Sequence, residues 1–322
     1  MKFSLVIPVY NEEESLAYTL GRLTDCIPAV RNEGFSEVEI ILVNDGSRDR
    51  SQEVMTEWIA AHPMDQVRFN IIEFSRNFGH AAAVLAGLEE SSGDVVGIID
   101  ADLQDPPELI SQMIRRLKAE DVDVIYGQRV ERKGEGWFKR LSAWGFYRLI
   151  NMLTGVAIPR DTGDFRVMRR TVVDAVLECR EQDPFIRGIV AWVGFRQRAF
   201  PYSRDDRKYG QTKYPLRKMV RFAAVAILSF SSKPLRFALY LGVLGLCFSF
   251  LVGTWSFISW MSGGTVRGWT SIAILVSISQ SFLFMLIGVQ GLYMGRVHGE
   301  VLGRPRYFVR RRLGSSPGRS SG

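Results

Sequence analysis

Val95-Val-Gly-Ile-Ile-Asp-Ala-Asp-Leu-Gln-Asp-Pro-Pro-Glu108 is the stretch whose reading decides the fold. Its apolar run, Val95 to Ile99, leads straight into carboxylates at Asp100, Asp102 and Asp105. Pro106 and Pro107 then open what reads as a helix, since proline is tolerated in a first helical turn. The acids therefore sit where a buried strand ends, which is where open α/β sheets bind ligands. Carboxylates two residues apart on an irregular turn can aim at one divalent cation, and hard oxygen donors suit Mg2+ or Mn2+. An acidic strand-to-helix loop with a capping Asp105 explains the same spacing equally well, so the neighbouring segments decide.

Outward from this stretch, residues 2–128 alternate short β-rich runs with helical ones. Phe3–Val9, Val38–Val43, Arg68–Phe74, Val95–Ile99 and Val122–Tyr126 read as strands. Glu13–Leu23, Ser51–Ala61, Ala81–Glu90 and Glu108–Lys118 read as helices. Such alternation predicts an α/β fold with a mostly parallel sheet and helices on both faces. Neither a dinucleotide-binding glycine fingerprint nor a Walker A lysine follows the first strand. The strand ends are polar instead: Ile7-Pro-Val-Tyr-Asn-Glu-Glu13, Leu42-Val-Asn-Asp-Gly-Ser47 and Ser75-Arg-Asn-Phe-Gly79 join the acids after Ile99. Asn11 taken singly reads as a helix cap. Tyr10 could stack a base, and Glu12 or Asp45 could accept from a ribose or base edge. Four polar strand ends on one edge make a site.

The chain carries 41 Lys+Arg against 34 Asp+Glu, a net charge of +7. The excess is clustered: nine basic residues from Arg196 to Arg221, and seven arginines after Gly295. Clusters of this kind suit a phosphate-bearing partner, nucleic acid or a membrane surface. Two uncharged segments, Phe237–Ser262 and Gly268–Gly295, decide for the membrane, because each exceeds the roughly 20 residues a span needs. Trp255, Trp260 and Trp269 cluster near the short turn between them, as interfacial aromatics do. The expected organisation is a catalytic domain over 1–214, an interfacial helix at 137–153 and another at 215–232. Two spans within 233–296, at about 235–262 and 269–295, and a basic tail over 297–322 complete it. The positive-inside rule puts both ends in the cytoplasm. Cys26, Cys179 and Cys247 are scattered, which excludes a disulfide framework or a cysteine zinc site.

Taken together, Ile7-Pro-Val-Tyr-Asn-Glu12, Val43-Asn-Asp-Gly-Ser47, Asn77-Phe-Gly79 and Asp100-Ala-Asp-Leu-Gln-Asp-Pro-Pro-Glu108 resemble family 2 glycosyltransferases of the GT-A fold, a Rossmann-like architecture. More narrowly they resemble the polyprenyl-phosphate glycosyltransferases, which include dolichol-phosphate mannose synthase and bactoprenol glucosyltransferases. The resemblance implies that Pro8, Tyr10, Glu12 and Asp45 hold the nucleotide. It implies that Asp100, Asp102 and Gln104 bind a divalent metal on the sugar-nucleotide diphosphate, with Arg129 near the phosphates. Asp161-Thr-Gly-Asp-Phe-Arg-Val-Met168 matches the acceptor-side motif. The resemblance implies that Asp164 there lies by the reacting centre, with Arg166 offsetting its charge or meeting the lipid phosphate. Ser203-Arg-Asp-Asp-Arg-Lys-Tyr-Gly-Gln-Thr-Lys-Tyr-Pro215 matches a flap over the donor, with Arg204, Arg207 and Lys213 on donor or lipid phosphates.

The implied reaction moves one sugar, with inversion, from a nucleotide-sugar to polyprenyl phosphate at a bacterial inner membrane, as a monomer or homo-oligomer. UDP-glucose is the favoured donor, with GDP-mannose and amino sugars as alternatives. A processive polysaccharide synthase would carry a Gln-x-x-Arg-Trp motif, which this sequence lacks. A non-catalytic nucleotide-sugar or lipid-binding module would not need Asp100, Asp102 and Asp164 together.

Overall fold

A computed structural model describes residues 1–64, 67–102, 104–129, 162–203 and 268–314, with individual helical positions between 238 and 262. Its sheet begins with β1 (Lys2–Val9), which pairs in parallel with β2 (Glu37–Asn44) on one side and β4 (Val95–Ile98) on the other. β3 (Val67–Phe74) extends the sheet beyond β2, also in parallel. β6 (Thr162–Arg169) inserts antiparallel between β4 and β5 (Val124–Arg129), and β7 (Gln197–Tyr202) runs parallel to β5. With β8 (Val309–Leu313) antiparallel to β3, the order is β7-β5-β6-β4-β1-β2-β3-β8. The expected mostly parallel sheet is therefore present, and the order reverses between β1 and β4. That crevice is where a doubly wound sheet places its ligand.

Both faces are covered, so β1 and β2 are buried almost from end to end, as parallel strands with helices on either side must be. Phe3, Leu5, Ile7 and Val9 point to one face. There they meet Leu16, Leu20 and Leu23 of α1 (Leu16–Asp25), Ile27 and Val30 of α2 (Ile27–Asn32) and Met55 of α3 (Ser51–Ala61). Ile110, Met113, Ile114 and Leu117 of α5 (Leu109–Ala119) join the same cluster. Each such side chain contributes about 1.5–3 kcal/mol on burial.

The opposite face packs against α4 (His80–Glu90), whose Ala82, Ala83, Ala86 and Gly87 let the helix lie close on Val6. Glu39 is buried on that side with its carboxylate fully engaged. It accepts from Ser4 Oγ at 2.6 Å, Ser92 N–H at 3.1 Å and Asn70 Nδ2 at 3.1 Å, and Lys2 Nζ lies 3.3 Å away. Two short helices follow β6, namely α6 (Arg170–Glu178) and α7 (Ile186–Trp192).

The first unit of the fold holds β1 to β7 and takes back β8; the second holds α8 (Trp269–Val301) and the described helical positions from Ala238 to Met261. Among the described residues one helix is long and apolar enough to cross a bilayer, Ile278–Val301, and Phe284 and Met294 stand exposed on it. The first expected span, 235–262, is described only in part, and the interfacial helices at 137–153 and 215–232 lie outside the described residues. The stretch expected as a basic tail over 297–322 carries regular structure in its described part. α8 continues to Val301, and Val309–Leu313 returns as an edge strand. Its arginines found counter-charges: Arg310 Nη1 lies 3.2 Å from Glu73, and Arg312 Nε 3.5 Å from Glu90. A short, charged strand is a common way to end a sheet, since it discourages further pairing.

Candidate active site

Four strand-end loops build one concave site. The β1 and β2 loops are knitted to each other: Asn11 Oδ1 accepts the Arg48 N–H at 2.9 Å, and the Asn11 N–H donates to Ser47 Oγ at 3.0 Å. Asn11, at φ +54°, thus ties two loops together instead of capping α1, which starts at Leu16. Glu13 Oε2 accepts the Arg50 N–H at 2.8 Å across the same seam.

Asp45, 2% exposed, then secures the third loop. Its carboxylate accepts the Phe78 N–H at 2.7 Å, the Gly79 N–H at 3.0 Å and Asn77 Nδ2 at 2.9 Å. Burial raises its pKa despite these bonds. Gly46, at φ +64°, is required here twice over, since a Cβ would also sit 2.6 Å from the Asn77 nitrogen.

A cavity of about 330 Å³ opens between these loops and the end of β4. Pro8, Tyr10 and Glu12 line it from β1, and Asp45 from β2. Asn77, Gly79 and His80 come from the third loop, and Asp100 and Asp102 from the fourth. Six of the residues expected at a nucleotide or metal site are thereby brought together. Tyr10, 41% exposed, offers a ring to solvent at the rim.

On the far side, strand alternation in β6 sends Phe165 and Val167 into the core and leaves Asp164 and Arg166 on the site face. Asp164 is 6% exposed and heavily partnered. Arg187 of α7 grips it with both nitrogens, Nε at 3.1 Å and Nη2 at 3.2 Å. His80 Nε2 lies 3.0 Å from its Oδ2, and Arg166 Nη2 3.5 Å from its Oδ1. Burial alone would raise Asp164, but Arg187, His80 and Arg166 outweigh it and hold the carboxyl well below its ordinary range.

Burial works against charging His80; the Asp164 bond and the Asp100 charge nevertheless raise it to about 9. His80 is thus a cation between two aspartates, 3.7 Å from Asp100 Oδ1. That Asp100 oxygen is buried with no hydrogen-bond partner. Burial pushes Asp100 up to about 6, opposed by His80 and assisted by the Asp164 and Asp105 charges.

His80 and Arg187 escaped the sequence reading. His80 directly follows Asn77-Phe-Gly79 and could have been flagged by adjacency, whereas nothing around Arg187 marks it. Arg166, expected on a lipid phosphate, is 3% exposed and turned inward to the Gly163 carbonyl and Asp164. Arg129 faces a second buried acid. Its Nη2 is 3.7 Å from Asp105 Oδ1, and Asp105 also accepts from the Tyr202 hydroxyl. Gly163 makes room for this group, since a Cβ there would meet Arg129 Nη2 at 2.8 Å. The Gln104 N–H donates to Asp102 Oδ1 at 3.1 Å and shapes the acidic turn. Arg204, Arg207 and Lys213 lie outside the described residues.

The residues present fit a divalent cation. Asp100 and Asp102 are hard oxygen donors on one turn, and one Asp100 oxygen is buried without a donor. Among the described residues no third His, Cys, Asp or Glu completes a closed protein cage. The remaining ligands would come from substrate and water, as Mg2+ and Mn2+ commonly accept on phosphate substrates.

The sequence model of glycosyl transferase family 2 matches residues 4–177. Over 98% of its length the chain is 42% identical to the glycosyltransferase YkcC of Bacillus subtilis, spanning 95% of that relative. It is 36% identical to the SfII prophage-derived bactoprenol glucosyl transferase of Shigella flexneri, over 98% of this chain and 100% of the relative. Among solved structures, mannosyl-3-phosphoglycerate synthase from Rubrobacter xylanophilus aligns with a TM-score of 0.46 at 19% identity, covering 73% of this chain and 74% of that one. With the acid-lined crevice at the sheet's reversal point, the family model's match over residues 4–177 and the full-length likeness to YkcC, the chain belongs to glycosyl transferase family 2.

Proposed function

We propose that this glycosyltransferase moves a single sugar from a nucleotide-sugar, with UDP-glucose the favoured donor, to polyprenyl phosphate at a membrane. The observation that carries the reading is the cavity between β1 and β4, with Asp100 and Asp102 on one wall and His80 leading to Asp164 on the other. Full-length likeness to a bactoprenol glucosyl transferase supports the acceptor class. The apolar helix Ile278–Val301 supports a membrane location, and the span proposed at 235–262 would complete a hairpin with it.

Tyr10 stacks the base at the rim, with Pro8 and Glu12 along the cavity floor and Asp45 shaping the pocket through the third loop. Asp100 and Asp102 hold Mg2+ or Mn2+, aided by the turn that Gln104 stabilises. When bound, such an ion supplies charge stabilisation for the departing diphosphate. Without a cation, the four carboxylates of Glu12, Asp45, Asp100 and Asp102 would repel that diphosphate.

The acceptor is a phosphomonoester with a second pKa near about 6, so at neutral pH it is mostly dianionic and already nucleophilic. Asp164 is correspondingly a poor base, its carboxylate held ionised by Arg187 and His80. It positions the sugar and those two cations. The acceptor oxygen attacks the anomeric carbon, the bond to the nucleoside diphosphate breaks, and the configuration inverts. Arg129, Arg204, Arg207 and Lys213 serve donor and lipid phosphates, and Arg187 joins Arg166 as a cation beside Asp164.

The test is transfer by purified full-length protein from radiolabelled UDP-glucose, GDP-mannose and UDP-amino sugars to polyprenyl phosphate. A chloroform-soluble, mild-acid-labile product from UDP-glucose is expected. Product from GDP-mannose alone would reassign the donor, and no product from any donor would overturn the reading.

A further inference from the structure

We propose that the segment after α8 is a clamp on the cavity's third loop, with Tyr307 and Phe308 as positioning residues for the donor pocket. It rests on the donor reading of that cavity. The wall formed by Asn77, Gly79 and His80 belongs to the loop between β3 and α4, and Gly79 there sits at φ +104°.

Asp45 supports this loop from the β2 side through the Phe78 and Gly79 N–H groups. Residues 306–309 support it from the other. The Ser75 N–H donates to the Phe308 carbonyl at 2.9 Å, at the root of the loop. Tyr307 stacks on Phe74, centroids 4.8 Å apart and planes 15° from parallel. Phe78 stands edge-on to Phe74 at 5.8 Å and meets the Phe308 ring at 6.1 Å. The Tyr307 hydroxyl also donates to Glu89 near the end of α4. Four aromatic rings therefore straddle the loop, two from each side of the β3–β8 edge.

The consequence runs along three consecutive residues. Phe78 carries both the ring held by Phe308 and the N–H held by Asp45. Gly79 gives the second N–H to Asp45. His80 starts α4 and reaches Asp164 and Asp100. Freeing the Phe78 ring loosens the N–H bonds to Asp45 and with them the placement of His80. A plain edge strand would require only the β3–β8 pairing, for which the Phe78–Phe308 contact is superfluous. The clamp lies beyond residues 4–177, so a loop of the family segment is backed by a part of the chain reached only after α8.

The experiment compares full-length wild type with Tyr307→Ala, Phe308→Ala and the conservative Tyr307→Phe and Phe308→Tyr. Hydrogen exchange over residues 74–80, without ligand, should speed up about threefold to tenfold in the alanine variants, the scale set by one aromatic pair. The conservative variants should stay near wild type. Donor KM should rise by a similar factor in the alanine variants while kcat changes little. Unchanged exchange at 74–80 with only a lower Tm would overturn the clamp and leave β8 an edge strand. Faster exchange in a protein whose wild type takes no nucleotide-sugar would uphold the clamp and remove the donor reading instead.

Discussion

Asp164 and Asp100 face each other across His80, yet the chain treats them in opposite ways. Asp164 has its charge answered from within, by the two nitrogens of Arg187, by His80 and by Arg166, and stays ionised. Asp100 has one buried oxygen with no donor and is raised to about 6. A buried carboxylate oxygen without a hydrogen bond is costly, and His80 at 3.7 Å is the cation paired with it among the described residues. The contrast separates two settings for one residue type: a charge answered within the fold, and a charge that, on the proposed function, a ligand would answer. Glu39 is a third case, buried and fully partnered far from the cavity. It serves as the structural control.

The largest effect is expected on the side that a ligand would answer. Asp102→Asn should lower transfer on the order of 10³-fold, matching the several kcal/mol a metal supplies to a charged leaving group, while circular dichroism shows an intact fold. Undiminished turnover without added metal would remove the distinction between the two aspartates. Next comes Asp164→Asn, which keeps the shape and leaves Arg187, Arg166 and His80 uncompensated. A drop in kcat of about 10²-fold with little change in donor KM is expected, the scale of one preorganised electrostatic contact. If kcat holds and only Tm moves, Asp164 belongs with Glu39.

Arg187→Lys should fall between wild type and Arg187→Met, because lysine keeps the charge but not the two-pronged geometry. A loss of about tenfold for the lysine variant is expected, and equal activities would show that charge alone suffices.

The smallest effect sharpens the control. Burial would raise Glu39, but the Ser4 and Ser92 hydrogen bonds and Lys2 outweigh it and lower its pKa. Its stabilisation is therefore full above the unfolded glutamate value of about 4.3 and is lost as pH falls through the lower folded value. Thermal melts of Glu39→Gln should show a shallower acid limb than wild type, with activity at neutral pH in the surviving fold unchanged. Identical acid limbs would mean that the Glu39 network does not couple to stability.

Much of the catalytic unit was legible before any coordinates. β1 to β4 and helices α3 to α5 lie within a few residues of their expected positions, because unbroken apolar runs and helical periodicity are local signals. The four polar strand ends were legible for the same reason, and the cavity gathers them. β6 was read as a motif and not as a strand. Its Asp164 and Arg166 occupy alternate positions where the period-2 pattern of a half-polar strand masks a fully buried one. Of the two readings of Arg166, the contact with Asp164 is the one the side chain makes, and sequence does not report which way a guanidinium turns.

The sequence by itself determined an α/β sheet, the edge that would carry chemistry and the acids that would carry it, since each follows from neighbours within about a dozen residues. Only the tertiary structure decided the partners of those acids. His80 meets Asp164 across 84 residues and Arg187 meets it across 23. Tyr307 reaches Glu89 across 218. The short basic run Val309–Leu313 became a strand because the open edge of β3, with Glu73 beside it, offered hydrogen bonds and counter-charge that no local propensity encodes. Charge neutralisation and edge pairing depend on distances in space, and those are set by the packing of the whole sheet.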